Sequence, residues 1–539
     1  MIKSVYKICF FFILIIVLFG CFALQPDSGS AQTIWHVDDD NCPGPGSGTQ
    51  GDPFCSIQTA IDNAVSGDTI YVMPGTYSES ILWQNKDLSI IGAGTPNCTV
   101  NGGSITSVVI GRNLTTASLL EGFTLTGGTG TPTVTAGGTP SCGGGIHLTN
   151  SHPRIASCRI TANVVSGYGG GMFNDISSPH LKGCCFYRNE ANNGGGLYID
   201  NASPNIIGCA FIDNTAESGE GGGIYSIGGN PVLTEVTFKW NLAFFGSGGG
   251  LYNTGGSPIL SDVVFRGNQA SMGAGGGMCT GGNPVIEGAV FYGNYASTGG
   301  GGLYIGSGNP IIRQSRFSSN VTGDYGGGGA ILNAGNAILS NVIMNNNRAD
   351  YADGGGGMMN WNGDPILTNV TICNNTAEYT QGGGFNNYRG TPVMTNCILW
   401  GNTKAGSPNQ IYNSGTSIVV SYSDIEGGFP GTDNISEDPL FVDPAGWDFY
   451  LQGTSPCIDT GNNAAPELPP ADFEGNDRII DGDGNGSAVA DMGAYEFVSD
   501  AGFGGGPTVG GKICSVNKAA LLASWIEFWF VFVSSGLPL

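Results

Sequence analysis

The sequence predicts an all-β fold: a parallel β-solenoid of three short strands per coil, with a helix closing its N-terminal end. Three observations carry this. A sentence of about 26 residues recurs ten times, its glycine triplets ending at Gly145, Gly171, Gly196 and onward to Gly384. Each triplet is followed by an apolar residue, then a proline, a short apolar strand and an asparagine, from Asn163 to Asn402. The asparagines are 25 to 28 residues apart. A long, steady period means stacked supersecondary units that share one core. Within the repeats helices are excluded, because glycine runs are costly in them and no 3.6-residue stripe is present.

Aligned on the asparagine, the repeats show which side chains face inward. Eight positions before it stand aliphatics such as Leu181, Ile206 and Leu233, and three before it stand Phe186, Phe211, Phe238, Phe265, Phe291 and Phe317. The column five before is small or β-branched and contains Cys158, Cys184, Cys209 and Cys397. These cysteines read as small buried side chains, since no zinc spacing is present. Proline stands ten before in every repeat except at Ala337, opening a strand where it need not donate. The asparagines are expected to form an amide ladder and to occupy the left-handed turn position themselves. The glycines supply positive φ and close backbone approach.

The remaining elements follow in chain order. Residues 1–31 read as an export signal: Lys3 and Lys7, an apolar run at 8–18, and Gly29-Ser30-Ala31 before the cut. Leu18-Phe19-Gly20-Cys21 offers lipidation at Cys21 as the alternative. Residues 32–140 form the cap and first coils. Cys42 and Cys55 bracket a Gly/Pro-rich loop and are the predicted disulfide in an exported chain. Apolar residues at 57, 60, 61, 64 and 65 give a one-sided helix to plug the core. Residues 141–416 are the ten-repeat solenoid, 417–497 the last coils and a closing module, and 498–539 a tail. Its apolar stretch at 519–533 contains Glu527 and is short for a membrane span, so it reads either as a degenerate anchor or as an aberrant terminus.

Composition limits function more than it defines it. There are 94 glycines without a Gly-X-Y period, which excludes collagen. The net charge of −24 argues against nucleic acid, whose phosphates reward basic surfaces. Acidic saccharides would be repelled unless calcium bridged them; neutral or metal-assisted ligands fit better.

Three resemblances add expectations. The G-G-G-[ILM] and F-x-x-N motifs, as in Phe186 to Asn189, resemble the repeats of chlamydial polymorphic membrane proteins over roughly 140–405. That family is a surface passenger with adhesive roles, although its C-terminal barrel has no counterpart pattern here. Residues 67–77, GDTIYVMPGTY, look like the opening of bacterial right-handed β-helix proteins of the pectate-lyase-like superfamily, which implies the hand of the solenoid. Asp438-Pro439-Leu440-Phe441, the SPCIDTG run at 455–461 and the DMGAYE run at 491–496 resemble the closing module of choice-of-anchor Q surface proteins. Together these imply an exported or cell-surface protein and no particular reaction.

Four candidate sites emerge from the residues. Asp481, Asp483 and Asn485 occupy positions 1, 3 and 5 of a loop with Gly486 at 6, the start of an EF-hand-type Ca²⁺ site, with Asp491 near position 12; the plainer reading is an acidic turn. Glu235, Asp262 and Glu287, followed by Arg313, stand on successive coils, the paired carboxylates a glycosidase needs, or simply a solvated face. Tyr198, Tyr225, Tyr252 and Tyr304 follow the glycines and form an outward aromatic ladder, able to hold sugar faces or only to stabilise the sheet. The disulfide is the fourth. The histidines have no ligand spacing, no nucleophile elbow is present, and polygalacturonase signatures such as G-H-G and R-I-K are missing.

The leading expectation is a secreted or cell-surface, non-catalytic β-helix scaffold, adhesin-like or polysaccharide-binding, peripheral to or anchored at the cell envelope. The alternatives are a polysaccharide lyase or hydrolase of the same superfamily, because the fold hosts many activities, and a structural envelope spacer.

Overall fold

The structure, a computed structural model, describes residues 32–498 apart from 135–137, 325, 351–353, 380–381 and 415–416. The expected signal segment, Cys21 and the tail beyond 498 lie outside the described residues. The chain winds through about 13 turns, and its three main sheets hold 27, 13 and 10 strands. One coil shows the rest. Leu197–Asp200 belongs to the 13-stranded sheet, Asn205–Ile207 and Ala210–Ile212 to the 27-stranded one, and Thr215–Ala216 to the 10-stranded one. Each strand pairs in parallel with its counterpart one coil on, so Tyr198 lies opposite Tyr225 and Phe211 opposite Phe238.

The expected three strands per coil are therefore four, on three faces. The strand of the largest sheet is split by a residue with left-handed backbone, such as Gly208 at φ 56° or Asp262 at φ 55°. This bend lets the residues eight, five and three before the asparagine all point inward, as Leu181, Cys184 and Phe186 do. The six phenylalanines from Phe186 to Phe317 are completely buried and stack with ring centroids 4.5 to 5.2 Å apart. Offset stacking of this kind adds to the burial of large aromatic surfaces.

The asparagines form the expected ladder, but their backbone corrects one expectation. The left-handed residue is the one before each asparagine, for example Asp213, Trp240 and Ser319, and not the asparagine itself. Each ladder asparagine is buried, and its Nδ2 donates to the next Oδ1 at 2.9 to 3.0 Å. The same Nδ2 also donates to a carbonyl of the preceding coil, as Asn268 does to Phe238 O at 3.0 Å. Inside a dry core every such group needs a partner, and the ladder supplies one for both ends of the amide. The glycine triplets divide their labour. The first takes positive φ (Gly221, 71°), while a Cβ on the third, Gly223, would lie 2.5 Å from Gly250 O.

A helix closes the N-terminal end of the core. Helix α1, Ile57–Asn63, buries Ile57, Ala60 and Ile61, with Ala64 following, whereas Val65 is exposed, contrary to expectation. Ser56 accepts from Thr59 N–H, and the Glu79 carboxylate accepts from Ile57 and Gln58 N–H at 2.8 and 2.9 Å, satisfying the first turn. Cys42 and Cys55 are joined by a disulfide. Beyond residue 437 the chain turns back along the outer face of the last coils. There Phe449, Leu451, Ile458 and Met492 bury Ile343, Cys373 and Ile398 in a second apolar cluster. Asn369 anchors this segment by donating to Asp491 O and Gly493 O at 2.8 and 2.9 Å.

Candidate functional site

The outward side of the 13-stranded sheet carries the aromatic column, because Leu197 and its equivalents point inward and alternation turns the next residue out. Phe173, Tyr198, Tyr225 and Tyr252 are in register on successive coils. Tyr198 and Tyr225 stack at 4.8 Å with ring planes 7° apart, and Tyr225 and Tyr252 at 5.1 Å and 16°. His147 and Phe173 extend the stack at one end, but both are buried, and Tyr168 from the preceding loop stacks on Tyr198 at 4.9 Å. The three tyrosines are half-buried. Tyr304 stands apart, since the buried Cys279 occupies the rung between it and Tyr252. Burial pushes the Tyr252 phenol up to about 12, and it raises Tyr198, Tyr225 and Tyr304 as well, so all four stay protonated near neutrality.

Acidic side chains accompany this column, a feature the sequence reading missed. Asp175 and Asp200, two residues beyond Phe173 and Tyr198, share the outward face and are opposite each other in register. Burial, then the Asp200 charge, raises the Asp175 carboxyl. The Glu220 charge acts on Tyr225 and Tyr252 from the opposite, loop side.

The second candidate is placed differently from expectation. Glu235 and Asp262 sit at the left-handed bend between paired strands (φ 55° each), not on a strand, and Glu287 ends the strand Val285–Glu287. All three are exposed. The Asp262 carboxylate nonetheless lies over Gly288, where a Cβ would come within 2.5 Å of its Oδ1. This partial burial, then the Glu235 and Glu287 charges, raises its carboxyl above the ordinary range. The row runs into a cleft of about 310 Å³ where Glu287 and Arg313 face Glu467 and Pro469 of the returning segment.

The third candidate is rearranged. Asp481 and Asp483 converge with Asp459, one carboxylate oxygen of each lying within 4.8 Å of the others. Asp459 comes from the SPCIDTG run, and its separation of 22 residues from Asp481 gave no local signal. Asp459 Oδ1 and Asp481 Oδ1 are buried atoms without a hydrogen-bond partner, which is the arrangement a hard cation satisfies. Asn485 instead donates to Asp483 Oδ2 at 2.8 Å. Asp491 is not at this cluster with its carboxylate: Oδ1 accepts from Asp459 N–H at 2.7 Å and Oδ2 from Phe497 N–H at 2.6 Å. It belongs to a buried network with Arg478 and Glu496, in which the guanidinium donates to the Glu496 carboxyl at 2.7 Å. Burial raises Asp491 to about 7 and Glu496 to about 9, with the Asp491 charge adding to the latter and Arg478 opposing both.

Comparison with known proteins bears on the architecture. Residues 80–270 match the family described as "Right handed beta helix region". No curated protein matches the chain. Among solved structures, pectate lyase Pel9A is 14% identical, with 87% of this chain and 98% of that one covered and a TM-score of 0.31. The A-module of the Azotobacter vinelandii mannuronan C-5 epimerase AlgE4 is 14% identical over 71% and 99%, with a TM-score of 0.33. A mannuronic acid specific polysaccharide family 6 lyase from human gut microbiota is 10% identical over 71% and 91%, with a TM-score of 0.34. At these scores the likenesses carry no argument about chemistry. The coil pairing and the matched region together identify the fold: the chain is a right-handed parallel β-helix of about 13 turns.

Proposed function

We propose that this is an exported, cell-surface β-helix that binds saccharide chains without cleaving them, using the tyrosine column as its platform. The observation that carries the reading is the continuous, half-buried stack of Tyr198, Tyr225 and Tyr252 along one outward face. The nearly parallel rings cover each other's faces, so what the column offers a saccharide is a rigid ridge of ring edges and phenolic hydroxyls, held at low entropic cost. The resemblances to surface-passenger repeats and to a choice-of-anchor closing module agree with display at an envelope. A structural Ca²⁺ held by Asp459, Asp481 and Asp483 belongs to the same reading and would tie the closing module together. Binding measured across a panel of neutral and uronic polysaccharides tests it: Tyr225→Ala is expected to weaken binding at least tenfold without substrate loss. Unchanged binding in that variant would sink the platform.

One observation favours a second reading, a polysaccharide lyase or hydrolase. The raised Asp262 carboxyl stands beside Glu235 and Glu287, in a row entering the Arg313 cleft. A carboxylate with a raised proton affinity beside an ionised one is what general acid catalysis requires. Cleavage of any polysaccharide that disappears in Glu235→Ala/Asp262→Ala would favour this reading.

A further inference from the structure

Resting on the tyrosine platform as the binding face, we infer that its ligand is an aminated glycan, a chain of sugars carrying ammonium groups, and not a uronate. The charge of the face decides this. The segments that build it and its flanking loops are 164–175, 190–200, 215–227, 242–254 and 269–281. They contain no Lys or Arg, and of their five acids Asp175 and Asp200 lie on the face itself and Glu217 and Glu220 in a flanking loop, while Glu190 belongs to the 10-stranded sheet. The basic residue in register with this face is Arg112, two coils before Asp175.

Position matters as much as count. Asp175 and Asp200 follow their rings on one side of the column, while Glu220 comes from the loop on the other side, close enough for its charge to act on Tyr225 and Tyr252. A glycan laid along the stack would advance about one ring per coil, since rungs are 4.8 to 5.1 Å apart. Substituents on alternate edges of such a chain would then meet acids on both sides. Carboxylated sugars would meet like charge there, in a partly desolvated setting where repulsion is strong. Ammonium groups would relieve the Asp175–Asp200 repulsion that the register enforces.

Titration calorimetry at mildly acidic pH, with the intact protein, compares a β-1,4-linked glucosamine hexamer, its N-acetylated counterpart and a galacturonate hexamer. The expected result is binding of the glucosamine hexamer roughly tenfold tighter than the acetylated one, weakening as salt is raised, and no binding of galacturonate. Asp200→Asn/Glu220→Gln, both at partly exposed positions, is expected to erase that difference and its salt dependence. Equal affinities for the two hexamers, unaltered by the double variant, would overturn the charge assignment but leave the platform intact. Tighter binding of galacturonate would overturn it as well. If none of the hexamers binds, the platform reading itself fails and this inference falls with it.

Discussion

Gln410 hands the asparagine ladder to Glu426: its Oε1 accepts from Asn402 Nδ2 at 2.7 Å, and its Nε2 donates to Glu426 Oε2 at 2.6 Å. Every amide in the ladder donates in the same direction, so its electropositive end faces the carboxylate, as a helix N-terminus faces an anion. Gly128 N–H donates to Asn163 Oδ1 at 2.9 Å and closes the other end. The ladder therefore has no unmatched terminus.

Removing a middle rung should be worse than removing the end. Asn268→Ala would remove the acceptor of Asn241 N–H and Nδ2 and the amide donor to Phe238 O inside the core, at about 1–3 kcal/mol for each unsatisfied group. The expected total loss of about 3 kcal/mol or more is readable by chemical denaturation. Glu426→Gln keeps an acceptor and removes only the charge, for an expected loss near 1 kcal/mol. Equal effects from the two variants would contradict a continuous ladder.

The phenylalanine stack sets a second expectation. Phe265 is fully buried between Phe238 and Phe291, with centroids at 4.8 and 4.6 Å. Phe265→Ala should cost about 3–5 kcal/mol, whereas Phe265→Leu should cost less, because coils can fill part of the space. Thermal melts of the two variants give the comparison.

The closing module should make stability depend on pH. Folded Asp491 and Glu496 hold protons up to about 7 and about 9, whereas unfolded carboxyls release them near pH 4. Between those values the folded state binds more protons, so stability falls as pH rises, through about 7 first and then toward about 9. Asp68 has the opposite sign. Burial opposes its ionisation, but hydrogen bonds from Val65, Trp35 and Thr33 outweigh that and lower its carboxyl. Its contribution is present above the unfolded value and lost as pH falls below it. A Tm that peaks in weak acid and declines toward alkaline pH is expected, with the alkaline decline reduced in Glu496→Gln. A flat profile across that range would refute the network's role.

Calcium should stabilise the same module. With the ion at a hundred times its Kd, one site binding only the folded state adds about 2.7 kcal/mol. The rise in Tm on adding Ca²⁺ should vanish in Asp481→Asn and in Asp459→Asn. It should persist in Asn485→Ala, whose side chain turns to Asp483. Persistence in Asp459→Asn would restore the local loop as the whole site.

Much of this molecule was legible in one dimension because its coils repeat. Inward columns, the asparagine ladder, the phenylalanine stack, the capping helix and the Cys42–Cys55 pair all depend on residues near in sequence or one period apart. What repeats imposes its register on itself, so the period alone specifies the solenoid and the face on which the tyrosines stand. Contacts without a period arise only when the chain folds back on itself. Folding bent the largest sheet so that Glu235 and Asp262 sit on a turn, and it brought Asp459 to Asp481 across 22 residues. It also buried Asp491 with Arg478 and Glu496 against coils more than a hundred residues earlier, such as Asn369. Glu220 reaches the tyrosine column from a loop for the same reason: loop paths answer to packing, and no spacing rule in the chain encodes them.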